Sequence, residues 1–343
     1  MSLADRDGLI WMDGEMVPWR EAKVHVLTHT FHYGLGVFEG VRAYNTPDRG
    51  TCIFRLQEHT DRLFRSAHIL GMKMPFDKET LNKAQKDVVR ENNLEEGYLR
   101  PMCFLGSEGM GLRADNLNTH VMVAAWEWPS YMDPDARDKG IKVRTSSYTR
   151  HHVNITMCKA KANGNYINSM LALREAVEGG AEEALLLDNE GYVAEGSGEN
   201  VFIVRDNKIY TPELTSCLEG ITRDAIFVLA AELGFEIRER RITRDEMYVA
   251  DEAFFTGTAA EVVPIRELDG RAIGSGSRGP ITTQLQAMYF DSVRGKRSQN
   301  VDWLTPVVCS GRYRQIQPHM AIGGVQDCCC RGRCAAPFSS LIE

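Results

Sequence analysis

Short alternating segments and longer stretches of helical period take turns along this chain of 343 residues. Leu9-Ile10-Trp11-Met12 and Met16-Val17-Pro18-Trp19 flank Asp13-Gly14 and predict a β-hairpin. Gly40 to Tyr44 and Thr51 to Phe54 read as strands around a Pro47-Asp48-Arg49-Gly50 turn. The period then lengthens. Leu56, Leu63, Ala67 and Leu70 share one face and predict a helix over 57–70, and a second helix covers 78–92. Strands at 97–105 and 119–126 close this first unit, 1–128. Residues 129–140, PSYMDPDARDKG, have the proline, charge and final glycine of an interdomain connector. A second unit, 141–308, follows. Its predicted strands lie near Ile141 to Ser146, Ala184 to Asp188, Phe235 to Arg240 and Glu252 to Thr256, with a hairpin at Val201 to Tyr210. Helices cover about 222–233 and 282–294. Strands and helices mix in both halves without an internal repeat, so two α/β-type domains with a cleft between them are expected.

Composition narrows the class. A hydrophobic content of 43% with 25% charged residues is that of a globular enzyme or binding protein. A formal net charge of -7 argues against nucleic acid or an anionic membrane as the main partner. No run approaches the roughly 18 apolar residues of a membrane span. The start, MSLADRDGLIWMDGE, resembles neither a secretory signal nor a transit segment, so the cytoplasm is the expected compartment. Cys52, Cys103, Cys158 and Cys217 are scattered as free buried thiols would be. Cys309, Cys328, Cys329, Cys330 and Cys334 crowd the arginine-rich tail, 309–343, in a spacing unlike that of zinc ligands. The tail is expected to be a disordered extension, and no metal site is expected.

Five segments carry candidate chemistry. In KANGNYINS, Lys161 to Ser169, the lysine follows Ile155-Thr156-Met157-Cys158, which reads as a short buried strand. Gly164 marks a turn, and Tyr166, Ile167, Met170, Leu171, Ala172 and Leu173 recur at helical spacing. A lysine at such a junction, held against apolar surface, is partly desolvated and becomes a nucleophilic amine. A surface lysine beside a loop would show the same pattern. Glu195 opens the glycine-rich run EGSGEN, a ligand approach or an ordinary turn. Gly220, Ile221 and Thr222 lie at a helix start, either an anion site or a plain end capped by Thr222. Gly257, Thr258 and Ala259 follow a strand as small residues able to form an anion nest, or a simple tight turn. Tyr98 and Arg100, two apart in a strand, project together as a carboxylate receptor or a surface pair. A reactive lysine, a carboxylate, two phosphate-type nests and a carboxylate receptor are together what pyridoxal phosphate chemistry requires.

The ordered motifs are FHYGLGVFEG at 31–40, Arg62-Leu63, YLRP at 98–101, GMGL at 109–112, KANGNY at 161–166, EGSGENVF at 195–202, EGITRDA at 219–225 and TGTAAE at 256–261. With them, from about Ile10 to Val307, the chain resembles the fold-type IV pyridoxal-phosphate enzymes, most closely the bacterial branched-chain amino acid aminotransferases. The resemblance implies an α+β, two-domain fold of the D-amino acid aminotransferase type. The smaller α/β domain would be N-terminal and the larger pseudo-barrel C-terminal, with 129–140 a mobile lid. It implies pyridoxal 5'-phosphate as cofactor, held by Lys161 as a Schiff base; Lys159, two residues earlier, is a rival. Glu195 would face the pyridine nitrogen and Tyr166 the cofactor's O3′. Leu218 would pack on the ring. Arg62, Ile221, Thr222 and Thr258, with Gly220 and Gly257, would hold the phosphate.

For the substrate, Tyr98 with Thr258 and Ala259 would receive the α-carboxylate, and Arg100 the side-chain carboxylate of glutamate. Tyr33, Phe38, Trp128 and Tyr131 would form apolar walls, while Met110 and Leu112 would reach a neighbouring subunit's site. The implied activity moves the amino group of L-leucine, L-isoleucine or L-valine reversibly to 2-oxoglutarate in a homo-oligomer, a dimer or a hexamer. A D-amino acid aminotransferase and an aminodeoxychorismate lyase are the alternatives on the same fold.

Overall fold

The computed structural model describes residues 2–113, 115–128 and 134–308, and their strands form two sheets. The first sheet opens with β1 (Leu9–Met12) and β2 (Glu15–Pro18), the expected hairpin. It turns on Asp13 and Gly14, both at positive φ (50° and 103°), as a primed two-residue turn requires. After α1 (His29–Tyr33) come β3 (Gly36–Phe38), β4 (Val41–Thr46) and β5 (Gly50–Phe54). Two helices, α2 (Leu56–Ile69) and α3 (Lys78–Glu91), lead to β6 (Gly97–Leu105) and β7 (Thr119–Trp126). The predicted helical face is the one buried: Leu63 and Ala67 of α2 and Leu81 and Val88 of α3 pack on Val41, Ile53, Leu99 and Val123.

In the connector, residues 134–139 form α4 (Pro134–Lys139), and its Ala136 is buried in the second core. The second sheet follows: β8 (Ile141–Thr145), then α5 (Tyr166–Glu178), β9 (Glu183–Leu187), β10 (Val193–Gly196), β11 (Asn200–Arg205) and β12 (Lys208–Thr211). After α6 (Ile221–Glu232) come β13 (Ile237–Glu239), α7 (Arg244–Tyr248), β14 (Glu252–Gly257), β15 (Glu261–Leu268), β16 (Arg271–Ala272) and α8 (Pro280–Val293). The order is β10-β9-β8-β15-β14-β11-β12-β13, with β16 on β15. β8 runs parallel to β9 because α5 makes the crossover between them. A last strand, β17 (Leu304–Pro306), which the residue pattern did not predict, returns to pair with β5. One core binds the sheets together: Phe202 stacks on Phe254 at 5.0 Å, and Tyr44, Phe54 and Trp303 join Leu229, Leu285 and Tyr289.

Two local expectations are corrected. Residues 155–158 are not a buried strand. The chain there runs through turns and bends, pairs with no strand among the described residues, and leaves Ile155 70% exposed. The helix after it is real, but its buried stripe is Ser169, Ala172 and Ala176. Ala172 and Ala176 pack on Ala184 and Leu186, where small side chains let the helix lie close to the sheet, while Ile167 and Met170 face outward. Cys52, Cys103, Cys158 and Cys217 are free and buried as expected, and burial pushes the Cys103 and Cys217 thiols up to about 12. No helix among the described residues is long and apolar enough to cross a membrane. Tyr131, the first part of the connector and the tail from Cys309 lie outside the described residues.

Candidate active site

A cavity of about 320 Å³ gathers residues from both sheets. Lys161 lines it from a pinned loop. Its N–H donates to Ser66 Oγ at 3.0 Å, its carbonyl accepts from Phe38 N at 3.1 Å, and the next residue, Ala162, bridges to Val37 of β3. Asn165 ties the same loop from inside, donating from Nδ2 to the carbonyls of Met157 and Ala160. Tyr166 begins α5 immediately afterwards, so the helix start sets its phenol beside the lysine: Nζ donates to Tyr166 Oη at 2.6 Å. Phe38 lies 4.9 Å from the Tyr166 ring, with Lys161 Nζ 5.1 Å and the Arg100 guanidinium 4.7 Å from its own ring centroid. Lys159 points elsewhere, its Nζ bonded to the carbonyls of Leu214 and Cys217. Geometry thus separates the two lysines.

Glu195 reaches the cavity through a bulge. β10 pairs with β9 as Val193 to Leu187 but Glu195 to Leu186, two residues against one, which re-aims the bulged strand. Its Oε2 accepts from Leu218 N at 3.2 Å, and Arg150 Nη2 lies 2.7 Å from Oε1 as an ion pair. Nearby Glu199 is buried; burial, then the neighbouring Glu183 carboxylate, pushes its carboxyl well above the usual range.

The cationic end is built by three elements. Gly220 caps α6 without a side-chain hydrogen bond, leaving the first amides of the helix open; Thr222, the alternative cap, lies inside the first turn. A Cβ at Gly220 would sit 1.9 Å from Asn200 Oδ1 and would have to push that amide out of its place beside Leu218 O. Arg62 donates from Nη1 to Glu219 O at 2.7 Å and grips Glu39 with Nε and Nη2 at 2.7 and 2.9 Å. His59 Nδ1 lies 2.8 Å from the same carboxylate. Burial alone would push Glu39 up, but Arg62 and His59 hold it well below the usual carboxyl range. The turn after β14 completes this end. Arg42 donates to the Thr258 and Ala259 carbonyls at 3.1 and 3.3 Å and so fixes their peptides.

Most sequence candidates meet here. Lys161, Tyr166, Glu195 and Leu218 line the cavity, as do Arg62, Gly220, Ile221 and Thr222, and Gly257, Thr258 and Ala259. Phe38, Tyr98, Arg100 and Trp128 add a further wall, beginning with the Phe38 ring beside Lys161 and Tyr166, with Arg100 Nη2 donating to Tyr98 Oη at 3.2 Å and the rings of Tyr98 and Trp128 4.6 Å apart. Tyr33 is not on that wall. Its helix ends at Gly34 in a left-handed cap, and the phenol instead accepts from Gly111 N at 3.2 Å. Met110 and Leu112 also stand away from the cavity, exposed on the same loop as Gly111. Sequence reasoning missed Glu39, His59, Arg42, Arg150 and Asn200. Arg42 had a signal, a charge inside the apolar strand GVRAY, and Glu39 and Asn200 stood inside the quoted motifs FHYGLGVFEG and EGSGENVF without being singled out; His59 and Arg150 had none local.

The donors suit a particular group. Arg150 Nε, Thr256 Oγ1 and Arg100 Nε are buried at the cavity without protein partners. Open helix amides and a guanidinium at one end suit a phosphate, the lysine–phenol pair a carbonyl carbon, and Glu195 a ring nitrogen. The residues fit pyridoxal 5'-phosphate. Such a site, in this pairing of sheets, defines a class, and the chain does belong to it: residues 36–268 match the family described as amino-transferase class IV. More narrowly, it is 66% identical over 307 residues to a branched-chain-amino-acid aminotransferase of Pseudomonas aeruginosa, covering 90% of this chain and 100% of that one. Among solved structures, a branched-chain amino acid aminotransferase of Escherichia coli is 43% identical with a TM-score of 0.86, covering 88% of this chain and 100% of that one. A further solved branched-chain amino acid aminotransferase, holding pyridoxamine 5'-phosphate, is 50% identical with a TM-score of 0.86, covering 88% of this chain and 99% of that one.

Proposed function

We infer that this chain is a pyridoxal-5'-phosphate-dependent branched-chain amino acid aminotransferase, acting on L-leucine, L-isoleucine or L-valine with 2-oxoglutarate as acceptor. The observation that carries the reading is Lys161 Nζ, 2.6 Å from Tyr166 Oη, between Glu195 and an open helix start beside Arg62. When bound, the cofactor accepts the amino group and delocalises the electron pair left at the substrate's Cα. Lys161 Nζ binds the cofactor and, once displaced by substrate, takes the Cα proton and returns it on the other side of the transfer. Tyr166 Oη orients that amine. Glu195, clamped by Leu218 N and Arg150, holds a proton on the ring nitrogen. Gly220, Ile221, Thr222, Thr258 and Arg62 hold the phosphate, and Gly257 lets the backbone approach. Tyr98 with Thr258 and Ala259 takes the α-carboxylate, and Arg100 a side-chain carboxylate. Phe38 and Trp128 leave the remaining wall apolar for a branched side chain.

The exposed apolar residues Val26, Phe31, Met110 and Leu112 (Leu112 is 91% exposed) support a homo-oligomer in which this surface meets a second copy. In that assembly Tyr33, Met110 and Leu112 serve a neighbouring site. A division into 1–128 and 141–308 is proposed, supported by membership of the two sheets apart from the returning β17, and the cytoplasm is the compartment proposed. The purified protein is expected to be yellow and to retain cofactor covalently after borohydride reduction, and Lys161→Ala is expected to abolish that trapping. A protein that stays colourless with added cofactor overturns the reading. Turnover of D-alanine but not L-leucine with 2-oxoglutarate moves the assignment to a D-amino acid aminotransferase.

A further inference from the structure

We propose that Lys159 is a positioning residue for the phosphate end of the site, tying the loop that carries it to the segment that carries Lys161. The inference rests on the cofactor reading above. Between Thr211 and Ile221 the chain has no regular structure, yet Ser216 and Cys217 are buried, so its backbone groups need partners from elsewhere. Side chains provide them one at a time. Asn200 Nδ2 donates to Leu218 O at 3.0 Å, Arg62 to Glu219 O at 2.7 Å, and Leu218 N donates to Glu195 at 3.2 Å. The middle of the loop depends on Lys159. Its ammonium donates to the carbonyls of Leu214 and Cys217 and lies 3.9 Å from the Glu219 carboxylate. Lys159 and Lys161 flank Ala160, which is itself held by Asn165. One short segment therefore supplies the central amine and anchors the loop whose end, Leu218 to Thr222, meets the ring and the phosphate.

The test uses the full chain, stripped of cofactor and titrated with pyridoxal 5'-phosphate or with pyridoxal, which lacks the phosphate. Lys159→Met removes both hydrogen bonds, so its Kd for pyridoxal 5'-phosphate is expected to rise tenfold or more, that is about 1.4 kcal/mol or more. Its Kd for pyridoxal, which the same loop meets only through Leu218, is expected to rise less than about threefold. Lys159→Arg, which keeps a cationic donor, is expected to recover most of the loss. Borohydride trapping at saturating cofactor is expected to label Lys161 in each variant. Equal weakening of both ligands, or no weakening of either, overturns the proposal. Loss of the difference at about 0.5 M salt also overturns it, since that marks a long-range charge effect. Should Lys159→Met fail to fold, Lys159→Gln, which retains a neutral donor, carries the same comparison. A wild-type chain that binds neither ligand overturns the cofactor reading itself, and label found on Lys159 overturns its choice of Lys161.

Discussion

Glu39→Gln removes one charge from a site where no solvent can replace it. The carboxylate is 0% exposed and accepts from Arg62 at 2.7 and 2.9 Å, with His59 Nδ1 at 2.8 Å. An amide of the same shape can accept one of these bonds but cannot neutralise the guanidinium. Breaking a buried ion pair by removing one partner costs about 3–5 kcal/mol. Since the amide preserves shape and one acceptor, a loss near 3 kcal/mol in unfolding free energy is expected, from a total of about 5–15 kcal/mol for a typical protein. Guanidinium titration of wild type and variant measures it. The pH dependence follows from the direction of the shift. A carboxyl held below its usual range stabilises the fold above the unfolded value near 4 and loses that contribution as pH falls through its folded value. The gap between wild type and Glu39→Gln should therefore be full at pH 7 and shrink below about pH 4. Combining it with Arg62→Met should recover stability relative to Glu39→Gln alone, because the unpaired charge is gone. A loss under about 1 kcal/mol at pH 7, the surface-pair range, would refute the reasoning.

Three further outcomes follow from the same geometry. Glu199→Gln should raise the melting temperature at pH 8 and not at about pH 4, because a carboxyl pushed up by burial destabilises the fold as pH rises past its unfolded value; a lower melting temperature at pH 8 would mean that it is ionised. His151, lowered to about 4 by burial and then by Arg150, should make the wild type lose stability as pH falls from about 6.5 toward that value, and His151→Asn should flatten this slope in a melting series. Arg100→Met should slow the half-reaction with L-glutamate about ten- to a hundredfold while changing that with L-leucine less than about threefold, in single-turnover absorbance traces; equal losses would remove Arg100 from side-chain recognition.

Elements whose pattern arises from their own residues were legible. The hairpin on Asp13-Gly14, the helices at 56–69 and 78–91, and the strand 97–105 all follow from local period and turn chemistry. Residues 155–158 failed because a short apolar run becomes a strand only when it pairs with a neighbouring edge, and this one pairs with none among the described residues. The helix after Lys161 was legible as a helix but its inward face was not, since alanines pack closest to the sheet while the larger Ile167 and Met170 remain outside.

The same division runs through the site. Lys161, Tyr166, Glu195 and Gly220 stand in motifs because what they touch constrains their immediate neighbours. The residues that hold them act across the fold: Glu39 grips Arg62 from 23 positions away, Lys159 reaches Leu214 across 55, and Arg42 reaches Ala259 across 217. No local pattern encodes such pairs, and charge alone marks them weakly, because a buried arginine and a solvated one look alike in sequence. Two lysines separated by one alanine illustrate the limit. Their sequence surroundings are nearly shared, and only the carbonyls of a loop folded back from the second sheet assign one to anchoring and leave the other free to face the cavity.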